Sequence, residues 1–350
     1  MRTSLQPRVP REYPLAVVIP TYNRAATLIS CLEHLERQSW TDFEVVVVDD
    51  GSSDQTPQKF QEYSQRTTLN LRYLRQPNGG PASARNAAIS VVHSPIVLMI
   101  GDDIFATPEL VESHLNLHRR RSELHVAGLG LTEWETETQT LTRFMKFLDE
   151  VQFSYSELMQ GKQPTWMHFY TSNVSVKTEA LRRNLFDEDF RVFEDIELGL
   201  RMARTEGLDV VFIPNALAYH YHPATFLQAC HRMKTVGWSA HLFHERWPEA
   251  YMNPVGRTAV RRAVRRFLAC PPFLYLATQS AALASRFITP KKLFRAVLYT
   301  HSYVGYRKRE SQEQKARGVS NPQANAGSAL RFNRSTAREK VLVRPDFPGQ

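Results

Sequence analysis

An α/β fold, a doubly wound and mostly parallel sheet followed by a basic helical C-terminal extension, is predicted by three observations. Short apolar runs alternate with segments of helical periodicity through the first half of the 350-residue chain, a pattern that rarely assembles in any other way. Three of the four apolar runs end in polar or acidic clusters. The charge is also divided: residues 1–224 carry 22 Lys+Arg against 29 Asp+Glu, whereas residues 225–350 carry 22 against 6. The net charge of +9 therefore hides an acidic half and a basic half, which points to two jobs.

The elements follow in order along the sequence. Ala16–Ile19 is a short buried strand, and Leu28, Cys31, Leu32 and Leu35 then recur at helical spacing. Phe43–Val48 is β-branched and reads as a strand. Thr56-Pro57 opens a helix, cap then proline. Leu71–Leu74 reads as an edge strand, and Asn78-Gly79-Gly80-Pro81 is a sharp turn before an alanine-rich helix reaching Ile89. Pro95–Ile100 is the next buried strand, and Thr107-Pro108-Glu109 starts another helix. Residues 133–170, rich in Thr and Glu and then aromatic, read as a lid and acceptor-side insertion. Strands near Asn173–Val176 and Val210–Ile213 flank a helix around Glu194–Arg204. Beyond Pro223 the pattern is helical and basic, with Arg261, Arg262, Arg265 and Arg266. From about Tyr306 the chain is polar enough to predict disorder. The expected division is a catalytic domain at 13–223 with halves at 13–104 and 105–223, an extension at 224–305 and a tail at 306–350.

Three widely spaced cysteines, Cys31, Cys230 and Cys270, form no CxxC pair and no disulfide framework, which favours a reducing compartment. The polar start lacks a leader pattern, and no run reaches the ~18 apolar residues of a membrane span. The expectation is a cytoplasmic protein.

Open parallel sheets bind ligands beyond the carboxyl ends of their strands. Here those ends read Pro20-Thr21-Tyr22-Asn23-Arg24, Asp49-Asp50-Gly51-Ser52-Ser53-Asp54 and Gly101-Asp102-Asp103. So many carboxylates around one crevice repel one another unless a cation resides there, which predicts a divalent metal.

The segments VVIPTYNR (17–24), VVVVDDGSSD (45–54), NGGPASARNAAI (78–89) and MIGDD (99–103) resemble the ordered signature of inverting glycosyltransferases of family 2. TSNVSV (171–176), FDEDF (186–190) and FEDIELGLR (193–201) are similar to that family's acceptor-side and catalytic-base segments. The resemblance spans about 13–223. It implies the GT-A fold and transfer of a sugar from a nucleotide-diphospho-sugar to an acceptor hydroxyl of a glycan or lipid-linked acceptor, with inversion. One departure matters: Gly101 stands where many relatives carry an acid, leaving Asp102 and Asp103.

Site roles follow from chemistry and resemblance together. Tyr22, with Pro20, Thr21 and Asn23, would meet the nucleotide by stacking, and Asp50 would accept from a ring N–H. Asp49 is counted with the nucleotide-sugar-binding residues but ranks below Asp50, since it also reads as capping its turn, and Asn86 reads as holding the glycine turn together. Arg85 resembles the family arginine that reaches the nucleotide or its phosphates. Asp103 would bind Mg²⁺ or Mn²⁺, and Asp102 would meet the ribose or the metal. His220 and His222 share one side of an extended run, and the resemblance implies His220 as an extra metal ligand compensating for Gly101. His114 and His118 have ligand spacing but lack the glutamate and third ligand of a zinc site, so they read as structural. Asp195 is the implied general base, with Glu194 orienting it or contacting the acceptor. Glu197 is placed to pair with Arg201.

Other classes fit less well. A P-loop, a GxGxxG fingerprint and a GxSxG elbow are absent from the sequence, and a sugar-nucleotidyltransferase would show a glycine-rich loop where PTYNR stands. An inactive sugar-nucleotide-binding scaffold has no need of Asp102, Asp103 and Asp195. The tail lacks a nucleic-acid motif, so no nucleic acid is expected. Its arginines with nearby Phe267, Leu268, Phe273, Leu274 and Leu276 predict peripheral contact with an anionic membrane.

Overall fold

The computed structural model describes residues 12–153, 155–250 and 265–316. The chain forms two units, one comprising residues 1–140 and 153–222, the other residues 141–152 and 223–350.

In the first unit β1 (Ala16–Thr21), β2 (Glu44–Asp49) and β3 (Asn70–Arg75) alternate with α1 (Ala25–Leu35), α2 (Thr56–Ser64) and α3 (Pro81–Val91). Then come β4 (Ile96–Ile100), β5 (Ile104–Ala106), α4 (Leu110–Arg120) and β6 (Val126–Trp134). The second unit takes α5 (Arg143–Gln152), and the chain returns to the first through α6 (Tyr155–Met159), β7 (Asn173–Lys177), α7 (Thr178–Arg183), α8 (Glu194–Thr205) and β8 (Asp209–His220). One sheet contains all eight strands in the order β3-β2-β1-β4-β7-β6-β8-β5. β1 to β4 run parallel, and β7 pairs antiparallel with both β4 and β6.

Why these runs become strands is visible in their two faces. Leu15, Val17 and Ile19 pack with α1 and α4 residues in one core, while Ala16 and Val18 pack with α3, α7 and α8 residues in another. Burial on both sides demands an uninterrupted apolar run instead of alternation. β1 to β3 propagate to one side, and the chain crosses back to place β4 on the other side of β1. That reversal opens a crevice between the carboxyl ends of β1 and β4, the place where such sheets bind ligands.

β5 and β6 have no counterpart among the strands read from sequence. In β6, the glycine at 130 is required by close approach: a Cβ there would lie 2.3 Å from Asn173 Nδ2. Leu141–Gln152 belongs to the second unit, where Phe144 and Phe147 help build a core with Phe226 and Phe294, so the 133–170 insertion is divided between units. That second unit also holds α9 (Phe226–Arg246), α10 (Pro271–Ala284) and α11 (Lys291–Ala316). Helix α11 continues through 306–316, where the sequence reading began a disordered tail; residues 317–350, and with them the rest of that tail, lie outside the described residues. No helix among the described residues is long and apolar enough to cross a membrane.

Candidate active site

The crevice is closed by a bond between the two strand ends that border it. Thr21 Oγ1, the last residue of β1, donates to Asp102 Oδ2 at 2.7 Å. Arg24 Nη1 reaches Asp102 Oδ1 and Asp103 Oδ2, each at 2.7 Å. Burial pushes the Asp102 carboxyl up to about 6, and the neighbouring Asp103 adds to this, while Arg24 opposes it. Burial acts in the same direction on Asp103, but His220, His222 and Arg24 outweigh it and hold that carboxyl well below its usual range. The two acids thus behave differently because His220 and His222 lie against Asp103.

The histidines arrive through strand pairing. β5 begins one residue after Asp103 and runs antiparallel to the end of β8, with Ile104 opposite His220. Tyr221 N–H donates to the Asp103 carbonyl at 2.8 Å, which fixes that register. His220 Nε2 consequently lies 3.3 Å, and His222 Nδ1 3.6 Å, from Asp103 Oδ2. Donor atoms of Asp103, His220 and His222 all fall within 4.8 Å of one another, a carboxylate-and-two-imidazole set that suits Mn²⁺ better than Mg²⁺. The set differs from the sequence expectation of Asp103, Asp102 and His220. His222 joins Asp103 and His220 in it, and Asp102 lies beside the group, its two oxygens accepting from Thr21 and Arg24.

On the opposite flank of β1, the Asp49 and Asp50 side chains brace the turns around them. Asp49 is fully buried, accepting from Ser52 N–H at 2.8 Å and from the Tyr73 hydroxyl at 2.5 Å. This is the turn-capping role read from sequence. Asp50 accepts from Gln76 Nε2 and from the backbone N–H of Gly79 and Gly80, at 2.7–2.8 Å. It therefore holds the glycine turn, the role expected of Asn86, and three of a carboxylate's roughly four acceptor positions are used. Gly80 sits at φ 92, where an L side chain is strained, and a Cβ there would also strike Arg191 Nη1 at 2.4 Å. Asn86 instead bonds the Phe186 carbonyl and Glu188, and accepts from Phe186 N–H. Asn23, at φ 53, accepts from the N–H groups of Ser53 and Asp54 and so ties the β1 turn to the β2 turn. Tyr22 beside it is 47% exposed, an open aromatic face, and Pro20 is partly buried.

Arg85 is buried, and its Nη1 donates to Glu194 Oε1 at 2.8 Å. The pair joins α3, which starts at the glycine turn, to the start of α8. Phe193, the residue before α8, adopts φ 72, a costly left-handed conformation for an aromatic side chain. It delivers Glu194 and Asp195 into the first helical turn. Asp195 accepts from Ile196 N–H at 2.8 Å and from the backbone of Thr171. Part of its surface meets solvent, yet protein surrounds it closely. That burial, reinforced by the Glu194 charge and opposed by Arg85, pushes its carboxyl up to about 6. A carboxyl titrating there is deprotonated at neutral pH yet basic enough to accept a proton. Glu197 pairs with Arg201 through two bonds of 3.0 and 2.9 Å, the i,i+4 pair read from sequence.

His114 and His118 lie in the core against Ser175 and Asn173 and take no part in the site, as expected. Arg24 and Phe193 were assigned no role by the sequence. The signal for Arg24 was its place one turn past a strand end that faces two acids; for Phe193 no local signal exists.

Residues 16–188 match the family model Glycosyl transferase family 2. Validoxylamine A glucosyltransferase of Streptomyces hygroscopicus subsp. jinggangensis (strain 5008) is 34% identical over 225 positions, covering 54% of this chain and 51% of that protein. An uncharacterized glycosyltransferase, EpsJ of Bacillus subtilis (strain 168), is 24% identical over 194 positions, covering 54% and 56%. The chain thus spans about half the length of the curated relatives it matches. Among solved structures, a mannosyltransferase of Pyrobaculum calidifontis in complex with GDP-Man and Mn²⁺ aligns with TM-score 0.57 at 19% identity, covering 87% of this chain and 89% of that one. The likeness is one of fold, the GT-A arrangement.

Proposed function

Because residues 16–188 belong to glycosyl transferase family 2, we propose that this chain is an inverting glycosyltransferase that moves a sugar from a nucleotide-diphospho-sugar to an acceptor hydroxyl. The observation that carries the reading is the meeting of Asp102 and Asp103 with Thr21, Arg24, His220 and His222 at the β1/β4 crevice, beside the open ring of Tyr22. Tyr22 stacks on the nucleobase, and Asp102 meets the ribose. Asp103, His220 and His222 would hold a divalent cation, which when bound neutralises charge on the departing diphosphate.

The transfer is a single displacement. The acceptor oxygen forms a bond to the anomeric carbon as the bond to the diphosphate oxygen breaks, and the electron pair leaves with the nucleoside diphosphate. Asp195 takes the hydroxyl proton on a carboxylate oxygen. Its raised pKa supports this role, and Glu194, anchored by Arg85, orients it. The acceptor we assign is a glycan or lipid-linked saccharide, and the setting the cytoplasmic side of a membrane, in keeping with three free cysteines.

A panel of nucleotide-sugars screened for thermal stabilisation with and without Mn²⁺ tests the reading. One donor should raise the melting temperature in a metal-dependent way. No stabilisation by any nucleotide-sugar, and full turnover in excess EDTA, would both count against it.

A further inference from the structure

Helix α10 contains no charged residue across its fourteen positions. Leu274, Thr278 and Ala281, at i, i+4 and i+7, are its buried stripe. Phe273, Leu276 and Leu283 project from the opposite side and are 48%, 61% and 59% exposed. Gln279 and Ser280 are the polar residues among its exposed positions, and large apolar side chains left in water normally have apolar surroundings in the working state. The same surface continues past the helix to Phe287 and Ile288, 69% and 58% exposed, and before it to Phe267, whose ring packs against that of Phe273 at 4.8 Å. Six large apolar side chains gathered in one short stretch are not scattered surface residues; such a patch marks an interaction site.

The charge around this patch selects the occupant. From Ala250 to Arg309 the sequence has 12 Lys+Arg and no Asp or Glu. Arg265 and Arg266 precede the patch, and Arg286, Lys291, Lys292 and Arg295 follow it. Of these, Arg266, Arg286, Lys291 and Lys292 are exposed; Arg261 and Arg262, named in the sequence reading, lie outside the described residues. Apolar bulk flanked by cations, without acids, complements a bilayer interface bearing anionic headgroups. Fourteen residues rise about 21 Å as a helix, short of the ~30 Å hydrocarbon core, so the element lies in the interface plane and does not span.

We propose that α10 and the segment following it, through Lys292, dock the second unit on an anionic lipid bilayer, with Phe273, Leu276, Leu283 and Phe287 entering the acyl boundary. The inference stands apart from the sugar-transfer reading, because it is read by binding alone. The full chain is floated with phosphatidylcholine vesicles with and without phosphatidylglycerol, at low and high salt. Binding should require phosphatidylglycerol and weaken with salt. F273S/L276S/L283S, all at exposed positions, should lower partitioning at least about tenfold. K291Q/K292Q should lower it by about fivefold per lysine at low salt, and it decides the matter if circular dichroism shows the serine variant unfolded. Absence of phosphatidylglycerol-dependent flotation overturns the proposal, as does a folded serine variant that floats like the parent. A dimer seen by light scattering, broken by the serine variant and with no vesicle binding, would identify a second copy as the occupant and overturn it equally.

Discussion

Arg85 Nη1 donates to Glu194 Oε1 at 2.8 Å with both side chains buried, so the helix that begins at the glycine turn is tied directly to the helix that begins with the acid pair. Removing the guanidinium leaves a buried carboxylate without its counter-charge, which typically costs about 3–5 kcal/mol. Arg85 also opposes the upward shift of Asp195. Arg85→Gln should therefore lower the denaturant midpoint and move the acid limb of the pH–rate profile upward, since a weaker positive field makes the Asp195 carboxylate harder to form. An unmoved limb would disconnect Arg85 from Asp195.

Asp195→Asn separates chemistry from capping, because asparagine keeps the shape and much of the N-terminal hydrogen bonding. A lost base should cut kcat by ~10²–10⁴ with donor affinity near that of the parent. In the parent, kcat should rise as pH rises through about 6, where the carboxyl loses its proton, and level off above. A variant retaining more than about a tenth of the parental kcat would show that Asp195 only caps α8.

The donor set of Asp103, His220 and His222 makes a specific forecast for titration calorimetry. Mn²⁺ should bind the full chain more tightly than Mg²⁺, because imidazole nitrogen suits the transition ion. His220→Gln and His222→Gln should each weaken Mn²⁺ by about tenfold or more. Affinity should fall with falling pH, since a protonated imidazole cannot ligate. If His222→Gln binds Mn²⁺ like the parent, the second histidine is not a ligand.

His114 and His118 make stability depend on pH without touching the site. Burial lowers their pKa values to about 4 and about 3, against ~6.5 for an unfolded histidine. Below ~6.5 the unfolded chain binds protons that the folded chain refuses, so stability is full above that pH and is lost progressively as pH falls toward 4 and 3. Denaturant unfolding should report a loss of a few kcal/mol over this window, and His118→Gln should make the slope shallower. An unchanged slope would assign the acid sensitivity to other groups.

Much of the fold was legible because the central strands are buried on both faces: Val45–Val48 and Val97–Ile100 read as apolar runs whatever their neighbours. The polar ends of those runs were equally legible, and Thr21, Asp102 and Asp103 do converge. β6 was not legible, since its glycines suit the side chains packed against them and weaken any strand signal.

What the sequence determined by itself was the order of β1 to β4 and the helices between them, the polar rim at their carboxyl ends and the acid pair opening α8, because these rest on periodicity and turn chemistry within a few residues. Which side chains are partners was decided only by the tertiary structure. Asp50 meets the turn at 79–80, Arg85 meets Glu194 and His222 meets Asp103 across sequence separations of 29 to 119 residues. The register between β5 and β8 brings two histidines to one carboxylate, and a left-handed Phe193 aims the acid pair. Such partnerships are made by strand crossover and packing. Local pattern carries no term for the distance between residues that far apart, so composition and spacing name the groups, and the fold alone chooses which of them touch.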